Sequence, residues 1–147
     1  MKKMFTLKGV SNCGKSTKIK NFAQWIITNY PHAINHNVDF SKSDIYGVIQ
    51  INKLFIAFVG PGDDLECVKI IEDLLIKYPD IDYVFNTCRT KGAGYQFLDS
   101  TYNIMSGWLG KYILVEHFDP SNPLLEASRD VVIIEELKCW ITGLEKL

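Results

Sequence analysis

Features that would assign this 147-residue sequence to a secreted or a membrane protein are missing from it. Its four cysteines lie far apart, form no C-x-x-C pair, and are not preceded by the apolar core of a secretory signal. No stretch of about 18 apolar residues occurs, so no membrane-spanning helix is predicted. We therefore expect reduced cysteines, a cytoplasmic location and no membrane partner.

An excess of charge of either sign is also missing. The sequence has 16 Lys+Arg against 17 Asp+Glu, a formal net charge of -1. Because a large basic field is what drives non-specific binding to nucleic acid, we expect no nucleic-acid partner beyond a local patch. The length fits one domain, which is large enough to bury a core without disulfides or metal.

The most informative feature that is present is a G-x-x-x-x-G-K-S motif over residues 9–16, directly after the apolar segment Met4–Leu7. In such a loop the glycines let the backbone curl around phosphate groups, with N–H groups pointing inward. We expect Lys15 to meet the β- and γ-phosphate oxygens and the Ser16 hydroxyl to hold Mg²⁺. The motif therefore predicts binding of a nucleoside triphosphate with Mg²⁺ through Gly9, Ser11, Asn12, Cys13, Gly14, Lys15 and Ser16.

The rest of the sequence alternates between strand and helix patterns. Apolar residues at helical spacing predict a helix directly after the motif, and its positive N-terminus adds to the anion site. Only Asn52-Lys53 separates two of the strands, which is too short for a parallel crossover and predicts an antiparallel hairpin. The predicted order is strand 4–8, helix 15–30, polar connection 31–43, strands 45–51 and 54–59, helix 67–78, strand 81–85, helix 95–109, strand 112–115 and helix 123–144.

This alternation predicts an α/β fold of one domain over residues 1–147. We expect a three-layer αβα sandwich, with a mostly parallel sheet of about five to six strands and the hairpin at one edge. Two alternatives stay open for the C-terminal segment. The run Val131–Ile134 also suits a strand, and the wide apolar surface of the helix, including Trp140, indicates either deep burial or contact with a second copy or a protein partner.

A phosphate-binding loop needs an acidic partner at the end of a neighbouring strand. The strand 54–59 is followed by Gly60-Pro61-Gly62, so the nearest carboxylates, Asp63 and Asp64, come only after a turn. If the turn folds back toward the loop, Asp63 is the predicted catalytic and metal-binding acid, with Asp64 as the second candidate. Capping of the following helix is compatible with either residue.

The polar, basic loop 86–94 follows the predicted strand 81–85. Ligands of open α/β sheets bind at that edge, so Arg89 and Lys91 are candidates for stabilising transition-state charge or for binding a second anionic substrate. A solvated turn is the alternative interpretation of both residues. The N-K-x-D element that recognises guanine is absent from this loop, so guanine specificity is not predicted.

On these residues the chain resembles the P-loop NTPase superfamily, and more closely a group of small bacterial or phage ATP-binding proteins with AAA or kinase character. In that group one strand ends in a Gly-Asp element and a later strand is followed by C-R-T-[KR]-G, matched here by Gly62-Asp63 and Cys88–Gly92. The resemblance covers about residues 3–95. It implies ATP or GTP with Mg²⁺, phosphoryl transfer, and contact of Thr17 with the α-phosphate.

The expected function is Mg²⁺-dependent ATP binding with slow hydrolysis, in which Lys15, Ser16 and Arg89 stabilise charge on the transferring phosphoryl group. Hydrolysis is expected to be slow because the usual strand-end acid is missing. A small-molecule or nucleotide kinase is the first alternative, favoured by the size of the chain. The second is a nucleotide-gated interaction module whose protein partner supplies the missing catalytic group.

Overall fold

A computed structural model describes residues 1–142 and contains one six-stranded sheet with helices. The order across the sheet is β2-β3-β4-β5-β1-β6. Strands β4, β5, β1 and β6 run parallel to one another, whereas β3 is antiparallel to both β2 and β4. The predicted α/β class, the mostly parallel sheet and the β3–β4 hairpin are therefore confirmed, but the hairpin is not at the edge of the sheet, because β2 lies outside β3. The strands are β1 (Lys2–Lys8), β2 (Ile34–Asn35), β3 (Tyr46–Ile51), β4 (Leu54–Val59), β5 (Ile81–Cys88) and β6 (Trp108–Leu114).

Helices cover both faces of the sheet. One apolar cluster joins Phe5 of β1 to Phe22 of the first helix and Leu137 of the last. The other joins Met4, the neighbour of Phe5, to Leu98 on the opposite face, as expected because successive strand residues point to opposite sides. The helices are α1 (Lys15–Asn29), α2 (Leu65–Val68), α3 (Ile70–Lys77), α4 (Ala93–Thr101) and α5 (Pro123–Ile141).

Four phenylalanines fix α1 against the centre of the sheet. The ring of Phe22 lies 4.8 Å from that of Phe85 and 6.1 Å from that of Phe58, measured between centroids, and Phe5 stacks on Phe85 at 5.0 Å. All four side chains are buried. Because α1 is held under β1, β4 and β5, its N-terminus is fixed at the carboxyl edge of these parallel strands.

The predicted helix 95–109 is wrong in its second half. Helix α4 ends at Thr101, and Asn103 then caps a short 3-10 turn over Ile104–Ser106. Gly107 follows with a φ of 89°, and β6 begins at Trp108, four residues earlier than expected. Apolar residues happen to continue at helical spacing beyond Thr101. The helix nevertheless ends there, because asparagine and glycine favour turns.

Three further features differ from the sequence prediction, apart from shifts of one or two residues at the ends of other elements. The segment 31–43 contains the short strand β2, which pairs with β3. The predicted helix 67–78 is divided into α2 and α3 at Lys69. Strand β5 extends three residues beyond the predicted 81–85, because Asn86, Thr87 and Cys88 are polar or small but still pair with β1.

The C-terminal segment is a helix to Ile141, so the strand alternative for Val131–Ile134 is wrong. The helix buries Ile133, Leu137 and Ile141, whereas the apolar side chain of Val131 is exposed. Trp140 is half-buried and its ring packs 4.7 Å from that of Phe5. Leu144 lies outside the described residues. No helix in the described part of the chain is long and apolar enough to cross a membrane.

Replacing Phe85 by alanine tests the aromatic centre of the core. We expect Phe85→Ala to lower the free energy of unfolding by about 3–5 kcal/mol, because it removes a buried ring between three others. Urea denaturation at neutral pH measures the effect. Ile76→Ala is the control, since Ile76 is 80% exposed and its loss should cost less than about 0.5 kcal/mol.

Candidate functional site

Several loops meet at the carboxyl edge of the parallel strands. They are the 9–16 loop after β1, residues 60–63 after β4, the end of β5, and residues 43–44 before β3. Together they enclose a cleft of about 460 Å³, which we name the front cleft. Its lining residues are Asn12, Gly14, Lys15, Ser16, Thr17, Ser43, Asp44, Gly60, Pro61, Gly62, Asp63, Cys67 and Thr87.

The 9–16 loop curls tightly between β1 and α1. Asn12 and Gly14 adopt positive φ angles of 59° and 87°, a region in which glycine and asparagine are the residues least strained. Gly9 donates its N–H to the Cys88 carbonyl at 3.1 Å. A Cβ atom at Gly9 would lie 2.7 Å from the Cys13 sulfur, so the loop closes this way only with glycine at position 9.

Two buried lysines in the first turns of α1 differ in how their charge is compensated. Lys18, 3% exposed, contacts the Asp130 carboxylate at 2.7 Å. Lys15, 5% exposed, donates to the Val10 carbonyl at 2.7 Å, but its nearest carboxylate, Asp63, is 3.8 Å away. No acidic residue occupies the first turn of α1 and no side chain caps it. The helix N-terminus and Lys15 therefore form an electropositive centre at the front cleft.

A close approach of two chain segments determines the position of Asp63. Thr87 at the end of β5 donates its hydroxyl to the Gly60 carbonyl at 2.7 Å. A Cβ atom at Gly62 would lie 2.1 Å from the Thr87 hydroxyl oxygen, so only glycine permits this packing. The turn folds back as the sequence analysis required, and Asp63 lies 3.8 Å from the Arg89 Nε as well as from Lys15. The three predicted catalytic residues are therefore neighbours, although Arg89, unlike Lys15 and Asp63, is not among the residues that line the front cleft.

Asp64 has a structural role. It is the N-cap of α2, and its carboxylate accepts the Cys67 backbone N–H at 2.8 Å. This hydrogen bond lowers the pKa of Asp64 below its usual value. Of the two adjacent aspartates, the structure therefore assigns capping to Asp64 and leaves Asp63 directed at the cations.

The remaining predicted residues divide into two groups. Ser16 and Thr17 line the front cleft, and Thr17 also lines the second cleft described next. Ser11 lines neither that cleft nor the one described next, and the Cys13 side chain is buried. Lys91 is exposed and lines neither cleft, which favours the solvated-turn interpretation for this residue.

A second cleft of about 420 Å³, which we name the rear cleft, lies on the other side of the 9–16 loop. It is bounded by the start of α1, the segment after β6 and the start of α5. Its lining residues are Asn12, Cys13, Gly14, Thr17, Lys18, Asn21, His117, Phe118, Ser121, Glu126, Arg129, Asp130 and Ile134. The two clefts share Asn12, Gly14 and Thr17, so the loop stands between them.

An ion-pair network crosses the floor of the rear cleft. Asp130 accepts hydrogen bonds from Lys18 and from the guanidinium of Arg129, which also donates to the Glu116 carbonyl. Partial burial alone raises the pKa of Asp130, but the hydrogen bonds from Lys18 and Arg129 outweigh it and leave the pKa below its usual 3.8. The network ties α5 to the first turn of α1.

The sequence analysis missed Ser43, Asp44 and the rear cleft. The sequence did contain a signal that places Ser43 and Asp44 at this edge. The predicted hairpin requires its first strand to run antiparallel to β4, so the residues before that strand must lie at the edge where β4 ends. The rear cleft had no such signal, because its walls come from three segments that only the folded chain brings together.

The front cleft presents side-chain oxygen atoms, which are the type of ligand that Mg²⁺ prefers in proteins. Within residues 1–142 no cluster of three or more His, Cys, Asp and Glu side chains could hold a metal ion. The Ser16 hydroxyl and the Asp63 carboxylate line the same cleft. Mg²⁺ usually binds through one or two protein oxygens together with substrate phosphates and water. Ser16 and Asp63 are therefore side chains that could contribute oxygen ligands to an ion of this kind.

Comparisons of the chain with protein-family models, with curated proteins and with solved structures found no match. A function for the site is therefore inferred from its geometry and chemistry.

Replacing Asp130 by alanine tests the network under the rear cleft. We expect Asp130→Ala to lower the free energy of unfolding by about 1–3 kcal/mol at pH 7, because the buried Lys18 charge loses its carboxylate. Since the folded-state pKa of Asp130 is lowered, its contribution is complete above 3.8 and is lost as the pH falls through the folded-state value. The difference between variant and wild type should therefore shrink below pH 3.8.

Urea denaturation over a series of pH values measures this difference. Glu135→Ala is the matched control, because Glu135 also forms an ion pair on α5 but is 62% exposed. Its loss should cost less than about 0.5 kcal/mol. An equal cost for the two variants at pH 7 would contradict the role assigned to Asp130.

Proposed function

We propose that this chain binds ATP with Mg²⁺ at the 9–16 loop and transfers the γ-phosphoryl group, hydrolysing ATP slowly when water is the acceptor. The weakly compensated charge of Lys15, whose nearest carboxylate is 3.8 Å away, carries the proposal. A buried ammonium group is costly unless an anion compensates it, and Lys18, one turn further along α1, has such a partner at 2.7 Å. Lys15 has no carboxylate as close, so a bound anion would compensate its charge more fully than Asp63 does.

The surroundings of Lys15 support phosphate as that anion. The first turn of α1 presents backbone N–H groups without a capping side chain, beside a loop whose positive φ angles turn the backbone inward. The strand–loop–helix order of β1, the loop and α1 is the context in which the G-x-x-x-x-G-K-S motif binds phosphate. On this basis we assign the fold to the P-loop NTPases, with ATP and Mg²⁺ drawn from the cytoplasm.

The two clefts suit the two ends of a nucleotide. The front cleft contains Lys15, Ser16 and Asp63, the groups proposed to act on the terminal phosphate and on Mg²⁺. The rear cleft contains Phe118 and Arg129, whose guanidinium lies 5.7 Å from the Phe118 ring centroid. A planar ring and a planar cation are surfaces on which a base stacks. The phosphates would then lie along the 9–16 loop, which separates the clefts.

The role that we propose for each residue follows from the charge of its side chain. Lys15 and Arg89 are the cations nearest Asp63, and they would stabilise the negative charge that develops on the γ-phosphoryl oxygens. Ser16 and Asp63 would hold Mg²⁺, which neutralises phosphate charge when bound. Arg89 is half-exposed, so it is free to turn from Asp63 toward the phosphate.

Replacing Lys15 by methionine tests nucleotide binding. We expect Lys15→Met to weaken binding of a fluorescent ATP analogue by about 100-fold or more, because charge-assisted contacts to phosphate are lost. The melting temperature without ligand should stay the same or rise, since an apolar side chain of similar volume replaces a buried charge.

Lys91→Met is the control for the loss of one positive charge near this edge, because Lys91 is exposed outside both clefts. It should leave binding unchanged. Equal affinity of Lys15→Met and wild type would reject the proposed function, and a large fall in the ligand-free melting temperature would make Lys15 a structural residue instead.

Replacing each of the adjacent aspartates by asparagine separates metal binding from capping. We expect Asp63→Asn to reduce Mg²⁺-dependent ATP turnover by about 10- to 100-fold, because a charged oxygen ligand is lost. Asp64→Asn should have little effect on turnover or stability, because asparagine caps a helix about as well as aspartate. Turnover measured against Mg²⁺ concentration tests both, and equal behaviour of the two variants would remove Asp63 from the metal site.

A further inference from the structure

We infer that Asp44 is the catalytic base of the phosphoryl transfer, which accepts the proton from the hydroxyl group that attacks the γ-phosphate. That hydroxyl belongs to water or to a small neutral molecule in the front cleft. The inference rests on the proposed function, since it concerns the acceptor side of the same reaction.

The position of Asp44 follows from the topology of the sheet. Because β3 is antiparallel to β4, the residues that precede β3 lie at the carboxyl edge of the parallel strands. The Gly60 N–H donates to the Ile45 carbonyl at 2.7 Å, which ties the residue after Asp44 to the end of β4. A Cβ atom at Gly60 would lie 3.7 Å from that of Ser16, so Asp44 reaches the cleft close to the start of α1.

The nearby aspartates already have hydrogen-bond or ion-pair partners. Asp44 is therefore the carboxylate that is available to the hydroxyl group of a phosphoryl acceptor. Asp63 lies between two cations and Asp64 caps α2. Asp39, on the same loop as Asp44, accepts the backbone N–H and the hydroxyl of Ser41. In the part of the chain that the structure describes, Asp44 forms no hydrogen bond and no ion pair. Its oxygens are therefore free to accept an O–H group.

The front cleft has room for more than a phosphoryl group. Its volume of about 460 Å³ lies in the range of small-molecule sites. Among the residues that line the cleft Lys15 is the cation, whereas Ser43 and Asp44 contribute a hydroxyl and a carboxylate to another part of its wall. That part of the wall suits hydrogen bonding to hydroxyl groups and repels a second phosphate. The acceptor that it fits is a neutral, hydroxyl-bearing molecule.

The proposed step balances in atoms and charge. The acceptor oxygen forms a bond to the γ-phosphorus as the bond from that phosphorus to the β–γ bridging oxygen breaks, and ADP leaves with the bridging electrons. The proton of the acceptor hydroxyl moves to the Asp44 carboxylate, which later releases it to water. With water as acceptor the products are ADP and inorganic phosphate, and with a polyol they are ADP and a phosphate ester.

The test compares Asp44→Asn, Asp44→Glu and Asp39→Asn with the wild-type chain. ADP and inorganic phosphate are measured separately, in buffer alone and with added glycerol, ribose or glycerol 3-phosphate, and binding of a fluorescent ATP analogue is measured in parallel. We expect Asp44→Asn to reduce ADP formation by about 100-fold or more while the KM for ATP and the analogue affinity stay unchanged. Asp44→Glu should restore part of the rate, and Asp39→Asn should match wild type.

The products identify the source of the hydroxyl. ADP in excess of phosphate with glycerol or ribose, but not with glycerol 3-phosphate, would show a neutral organic acceptor, and equal amounts in every sample would show water. A rate for Asp44→Asn within about twofold of wild type, with binding intact, would overturn the inference and leave the proposed function standing. Loss of analogue binding in Asp44→Asn would also overturn it. Failure of the wild type to bind the analogue would instead reject the proposed function, and the inference with it.

Discussion

The contact between Gly62 and Thr87 is the constraint on which the front cleft depends. It presses the turn after β4 onto the end of β5, and the Thr87 hydroxyl holds that turn through the Gly60 carbonyl. Only because the turn folds back in this way does Asp63, which comes four residues after the end of β4, lie between Lys15 and Arg89. A side chain larger than hydrogen at position 62 would separate the acid from both cations.

Much of the fold could be predicted because it depends on local patterns. The motif at residues 9–16 defined the end of β1 and the start of α1, and the two-residue connection Asn52-Lys53 required a hairpin. The errors arose where a local pattern competed with turn chemistry or with tertiary pairing. Asn103 ends a helical periodicity that the apolar residues alone would continue, and β2 consists of two exposed residues that only pairing with β3 makes a strand.

For a related reason, some residues of the candidate site could be predicted from the sequence and others could not. Lys15, Ser16 and Asp63 could be selected from sequence because each stands at a fixed distance from a recognisable element. The distinction between Asp63 and Asp64 could not, because it depends on which carboxylate meets the Cys67 N–H and which meets the cations. Asp44 is distant in sequence from the motif, and its place in the cleft comes from the direction of a strand.

The 9–16 loop is a wall common to both clefts, with Asn12, Gly14 and Thr17 exposed to each. A displacement of that wall enlarges one chamber as it narrows the other. If an occupant of one cleft displaced the loop, it would change the affinity of the other cleft, and by reciprocity the effect would be the same in both directions. The ion pair between Lys18 and Asp130 joins α5 to the start of α1, so α5 lies in direct contact with the element that follows this loop.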